Sequence, residues 1–376
     1  MGKKHLHYFD YLRLISAMGV IYMHVASDAL VGEITLGWHG MNILTCFAFT
    51  AVPLFLMMSG HLLLNDEKTA DVSYLLKKRL PRLVVPLIFW TLMAVFWRMH
   101  YIEGWSLSGL YHGMVSSIQS PAWVHLWYMY TLIALYLISP VLYGGLRSLD
   151  RKGHLLVITL LCLLNGKTIL SVLLPDSLKP FAAVNVLDQL SFLQGCLGLF
   201  LSGYYLGRLK KRIPNLLLLG VGAAVLAVII YGTYRYTLRD GQFNQTFQNQ
   251  FSGFEVLLAA CVFLFFKQNC NKECKLLRAI PIIPLALPIY LMHNILLGSL
   301  RRSIRIDSFR ETVYVSALVF VICYLVLKTL ATIKPLCYMV TGMKFSTACN
   351  SCNWIYTGKK LLAFFRRKKD PGTGSP

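Results

Sequence analysis

Arg13 and His24 stand in the first apolar run of the chain, YLRLISAMGVIYMHVASDAL, with ten residues between them. Eleven steps of about 100° bring a helix back to within roughly 20° of its starting direction, so the two side chains share one face about 16 Å apart. An imidazole can take a proton from a hydroxyl near neutral pH, whereas a guanidinium keeps its charge and suits a phosphate or carboxylate. The pair therefore reads as a general base, His24, and a fixed cation for an anionic group, Arg13. Asp28, one turn past His24, is placed to orient the ring as a carboxylate does in hydrolytic triads. Each has a plainer reading on its own: a snorkelling anchor, a hydrogen-bonded packing residue and a wet helix end. Ionisable groups inside an apolar span are costly and mark working sites that face a bundle interior, and two on one stripe favour chemistry over chance.

The elements that must position them are membrane helices. The 376 residues are 56% hydrophobic and only 14% charged, with a mean hydropathy of +0.57, too apolar for a soluble domain. Runs long enough to cross a hydrocarbon core of about 30 Å recur along the chain. They predict ten transmembrane helices near 10–30, 39–64, 83–101, 123–145, 154–174, 189–208, 214–234, 252–268, 282–300 and 311–331, an all-α polytopic bundle. The second is long enough to tilt or kink at Pro53.

A net charge of +21 does not imply nucleic acid, because the basic residues alternate between loops as the positive-inside rule requires. Lys3 and Lys4 precede the first span. Lys68, Lys77, Lys78, Arg79 and Arg82 follow the second, Arg147, Arg151 and Lys152 the fourth, Arg208, Lys210, Lys211 and Arg212 the sixth, and Lys267, Lys272, Lys275 and Arg278 the eighth. This pattern places both termini in the cytoplasm of a multi-pass plasma-membrane protein. One exception is the last outer loop, with Arg301, Arg302, Arg305 and Arg310, which either breaks the rule or makes the ninth span re-entrant. The first span lacks a signal-peptide cleavage site and is expected to stay as a helix.

Residues 1–335 read as one membrane domain and 336–376 as a basic cytoplasmic tail, partly disordered. Its Lys359, Lys360, Arg366, Arg367, Lys368 and Lys369 are interleaved with apolar residues and suit adhesion to anionic lipid. Cys46, Cys162, Cys196, Cys261 and Cys323 fall within spans and behave as small apolar residues. The pairs Cys270/Cys274 and Cys349/Cys352 lack the second half of a zinc pattern, so no metal is expected.

Further blocks bring a family into view. FDYLRLISAMGVIYMH resembles the first-helix motif of the acyltransferase 3 membrane proteins, an Arg and a His separated by ten residues. VPLFLMMSGHLLL (52–64), KKRLPRLVVPLIFW (77–90), HLWYMYTLIALYLISPVL (125–142) and LPIYLMHN (287–294) resemble later blocks in the family's order. His61 departs from it, standing where Tyr or Phe is commoner, and the basic block lacks the family's Phe-containing form. The resemblance implies a bacterial O-acyltransferase of surface glycans, with acyl-CoA as cytoplasmic donor, His24 as catalytic histidine and Arg13 as its partner.

Under that reading Lys78, Arg79 and Arg82 suit the phosphates of coenzyme A at the cytoplasmic mouth, though they serve equally as topology-setting charge. Arg79 and Arg82, three apart at the start of the third helix, are expected on one face. His125, Trp127, Tyr128 and Tyr130 open the fourth span at the outer interface, where aromatic residues anchor any membrane protein and where sugar rings of an acceptor would stack. His293, near the midplane with Tyr290 one turn before it, suggests an acyl tunnel or proton handling. Ser59 could carry an acyl group, but sits near the cytoplasmic end and next to Gly60, a pairing that also suits close helix packing. The resulting expectation is an acetyltransferase using acetyl-CoA and a glycan or other hydroxyl acceptor among membrane lipids. The rival is a proton-coupled transporter or exporter of a polar metabolite or glycan, built on Arg13, His24 and His293. A sensor or scaffold that kept the fold without the chemistry is the third possibility.

Overall fold

The computed structural model describes residues 5–175, 177–178, 185–274 and 282–352, and every regular element among them is a helix. The predicted segments appear in order. The first is α1 (His7–Leu30), and α2 (Leu36–Ala48) with α3 (Ala51–Leu64) forms the second. Then come α4 (Pro81–Arg98), the loop helix α5 (Leu107–Gln119), α6 (Trp127–Ser148) and α7 (Arg151–Leu173). They are followed by α8 (Cys196–Arg208), α9 (Asn215–Asp240), α10 (Gly253–Asn269), α11 (Ala286–Arg301), α12 (Phe309–Leu330) and the short α13 (Lys334–Thr341). Among the described residues, seven helical stretches are long and apolar enough to cross a membrane. The other three expected spans are α1, more polar because of its charged residues, and the shorter α8 and α10.

The second span breaks at Phe49–Thr50 rather than at Pro53 itself. Proline has no N–H to donate and its ring crowds the carbonyl four residues back, here that of Phe49. The chain turns there through a Thr50 N–H to Phe47 carbonyl bond (3.2 Å), and the Thr50 hydroxyl donates to the same oxygen at 2.7 Å. Pro81 acts likewise on the turn before it. The Leu80 N–H skips to the Leu75 carbonyl (2.9 Å), so Leu75–Arg79 winds as a π-turn. The helical backbone continues through Leu80 into α4, and the charges of Arg79 and Arg82 both reach the Tyr136 hydroxyl.

α1 is the axis of the bundle, packed against α2, α3, α10, α11 and α12. α11 runs parallel to it. Arg13 shares a cavity with Ala286 and Leu287 at the start of α11, while Arg301 at its end donates to the His24 carbonyl. The ninth span therefore follows α1 along its length and is not re-entrant. α3 meets α8 at backbone distance, because Gly60 faces the Phe200 carbonyl, Gly203 the Met57 carbonyl and Gly207 the His61 ring. Small residues are what permit such an approach in a membrane bundle.

The sequence reading begins the tail at 336, yet α13 packs on α4. The Trp90 Nε1–H donates to the Val340 carbonyl at 3.1 Å, and Gly342, at φ 68°, sits against the Arg82 carbonyl. The basic tail residues, Lys3, Lys4, Lys275 and Arg278, and the Cys349 and Cys352 side chains lie outside the described residues. Cys46, Cys162, Cys196, Cys261, Cys270, Cys274 and Cys323 are free thiols.

Candidate active site

Both residues of the first-helix pair face the interior, toward α11. Arg13 lines a cavity of about 200 Å³ with Phe55, Ser59, Tyr128, Tyr136 and Tyr290 among its walls. Its guanidinium lies 3.8 Å from Asp10 and over the Phe9 ring. The Tyr136 hydroxyl feels the charges of Arg79, Arg13 and Arg82 together, so this mouth of the cavity is electropositive. Ser59 lines this cavity together with Tyr128, with Gly60 turned to the α8 contact instead.

Farther along α1 three imidazoles meet. The His24 ring lies 5.2 Å from His293 and 6.1 Å from His125 by centroid, and those two lie 4.9 Å apart. Tyr290 links the two regions. It lines the Arg13 cavity, its ring touches those of Tyr128, His125 and His293, and its hydroxyl donates to the His125 carbonyl. A polar path thus runs inside the bundle from Arg13 to His24.

Hydrogen bonds set the tautomers of two of the rings. A carbonyl only accepts, so His125 must donate through Nε2 to Leu291 (3.3 Å) and His293 through Nδ1 to Tyr290 (2.6 Å). In the neutral rings His125 Nδ1 and His293 Nε2 are then bare lone pairs, and both are buried without a partner. Among the described residues the His24 ring makes ring contacts and no hydrogen bond. Replacing Tyr290 by phenylalanine is expected to leave the buried His125 carbonyl short of a donor and to cost about 1 kcal/mol, read as a lower thermal midpoint of the purified protein.

The other expected residues divide. His125, just before the start of α6, is 2% exposed and faces the bundle interior. Successive residues of α6 diverge by about 100°, so Trp127 turns to Phe251, Tyr128 to the cavity, and Tyr130 donates to the Ser117 carbonyl of α5 at 2.5 Å. Asp28 does not orient His24. Its Oδ2 lies 3.0 Å from Arg301 Nε, because one turn beyond His24 the helix has reached the end of the bundle where Arg301 arrives. Arg79 donates to Asp66 and Thr69, which engages much of its charge, while Lys78 and Arg82 are exposed. His61 packs between Phe9 and α8, beside Asn65. One described trio, His5, His7 and Asp10, brings metal-ligating atoms within 4.8 Å of one another, outside this cavity.

Arg301 was legible only as an exception to the charge rule. Its Nη2 donates to the His24 carbonyl (2.6 Å) and the Ser27 hydroxyl (3.1 Å), and Ser27 donates to the same carbonyl at 2.9 Å. The charge clamps the turn of α1 that carries the imidazole. Arg301→Gln is expected to lower the thermal midpoint by the equivalent of about 2 kcal/mol, the contribution of charged hydrogen bonds, and Arg301→Lys to recover part of it.

Fold and interior together define a polytopic helical membrane protein with a row of contacting polar side chains beside its first helix. A family model described as an acyltransferase domain, of the acyltransferase 3 type, matches residues 6–333. The chain belongs to this family, and its activity class is that of a membrane acyltransferase. No curated protein and no solved structure matches it.

Proposed function

We propose that the protein is a plasma-membrane O-acetyltransferase, with both termini cytoplasmic, that moves the acetyl group of cytoplasmic acetyl-CoA to a hydroxyl of an extracytoplasmic or lipid-linked glycan. The observation that carries this reading is the joined path from the electropositive Arg13 mouth through Tyr290 to His24. Arg13 and Arg82, with Lys78 outside them, attract the phosphates of the donor, and the acetyl thioester reaches along the cavity past Ser59 and Tyr128. His24 takes the proton of the acceptor hydroxyl. The oxygen forms the ester bond to the acetyl carbon, the carbon–sulfur bond breaks, and the proton passes from His24 to the departing thiolate, giving free CoA. The bare nitrogens of His125 and His293 hold the acceptor hydroxyl or the His24 N–H in line, and Trp127 lies toward the acceptor side.

Acetyl-CoA and glycan acceptors supplied to the full chain in proteoliposomes test the reading. Release of free CoA that needs a hydroxyl acceptor, with ester-linked acetyl on the glycan by mass spectrometry, is expected. Saturable solute uptake with no consumption of acetyl-CoA would instead establish the transporter reading.

A further inference from the structure

The loop helix α5 divides into three rows of side chains around its axis. One row meets the bundle. Gly113 and Ser117 are buried: Gly113 sits against Val95 and Arg98 in the last turn of α4, and the Ser117 carbonyl accepts from Tyr130 in the first turn of α6. A second row, Ser108, His112, Ser116 and Gln119, is polar and exposed. The third, Leu107, Tyr111, Val115 and Ile118, is apolar and exposed just as fully, with Leu107 at 84% and Ile118 at 77%. Its spacing of four, four and three residues keeps it on one face. At about 100° per residue the two exposed rows are centred roughly 100° apart.

A helix in water would turn its apolar row inward, and here the inward face is taken by Gly113 and Ser117. The thirteen residues of α5 reach about 20 Å, too short for a hydrocarbon core of about 30 Å. Its contacts lie with the last turn of α4 and the first turn of α6, the level at which both helices leave the bilayer. Its sequence, LSGLYHGMVSSIQ, holds no Lys, Arg, Asp or Glu, so no fixed charge resists entry into the headgroup region. Tyr111, with an apolar ring and a polar tip, suits that depth. Just before the helix, the Trp105 ring lies 5.7 Å from Phe96 of α4 and is itself exposed. The uncovered apolar surface therefore continues from α5 onto a membrane-spanning helix.

We propose that α5 is an interfacial helix that docks its Leu107, Tyr111, Val115 and Ile118 row into the lipid leaflet at the α4–α6 end of the bundle. The buried row holds protein, the polar row faces water and the apolar row meets the boundary of headgroups and acyl chains. On the topology proposed above, this is the extracytoplasmic leaflet; that side rests on the earlier reading, whereas the docking does not. Docking sets the height of the segment 120–126, which returns from α5 to the imidazole cluster and carries Trp123, 6.4 Å from the His125 ring.

The test places single cysteines in the full chain, held one copy per nanodisc of phosphatidylcholine and phosphatidylglycerol so that no second chain shields the helix. A charged, membrane-impermeant maleimide is added, and peptide mass spectrometry reads each site apart from the native cysteines. Ser108→Cys, His112→Cys and Ser116→Cys are expected to label freely. Tyr111→Cys, Val115→Cys and Ile118→Cys are expected to label at least about tenfold more slowly, since apolar surroundings raise a thiol's pKa and each unit removes about tenfold of the reactive thiolate. Three sites in each row preserve the comparison if one variant fails to fold. Equal labelling of the two rows overturns the proposal, because the apolar row then stands in water. Slow labelling of both rows overturns it too, because α5 is then covered on every side. The same reagent added to intact cells reports the side: no labelling of the polar row there, with the contrast kept in nanodiscs, would reverse the topology and leave the docking in place.

Discussion

His24→Ala is expected to lower acyl transfer by about 10²–10⁴-fold, the range contributed by a positioned general base, while the protein still purifies as a folded species. The two halves of this expectation come from different observations. His24 is the one residue of the first-helix pair that meets both His125 and His293, so no neighbouring imidazole holds the same position. Its ring makes no hydrogen bond among the described residues, so truncation strands no polar partner. The backbone carbonyl that Arg301 and Ser27 hold is untouched. Free CoA released per protein, measured beside the thermal midpoint, separates the two. Activity within threefold of wild type would remove His24 from the proton transfer.

Gly203→Ala is expected to have the largest effect on folding. A methyl group at this position would press on the Met57 carbonyl, and Gly60 across the contact has no more room against Phe200. Both neighbours are backbone, so no rotamer change relieves the overlap and α3 must separate from α8. Overpacking of this kind costs about 3 kcal/mol. α3 also carries Ser59 and Phe55 into the cavity, so the displacement reaches it as well. A lower thermal midpoint and loss of the monodisperse peak on size-exclusion chromatography are the readouts. Gly220→Ala, on α9 where an added Cβ meets nothing, is the control and should behave as wild type.

The family and the helical plan were readable because they rest on local pattern. Apolar runs of bilayer length mark spans whatever they pack against, and α1 puts Arg13 and His24 on one face by helical period alone. Reading failed where a side chain's partner lies far along the chain. Asp28 is near His24 in sequence but pairs with Arg301, 273 positions on. His125 reads as an interfacial residue from its place at the end of a span, and α11 covers it.

By itself, then, the order of residues determined a membrane bundle of helices, its family and the two chemically apt groups on α1, because periodicity and composition act within one segment. Only tertiary structure decided that His125 and His293 join His24 and that Tyr290 connects them to the Arg13 cavity. These depend on which helices are neighbours and in which direction they run. Packing among distant segments sets that, and no single segment encodes it.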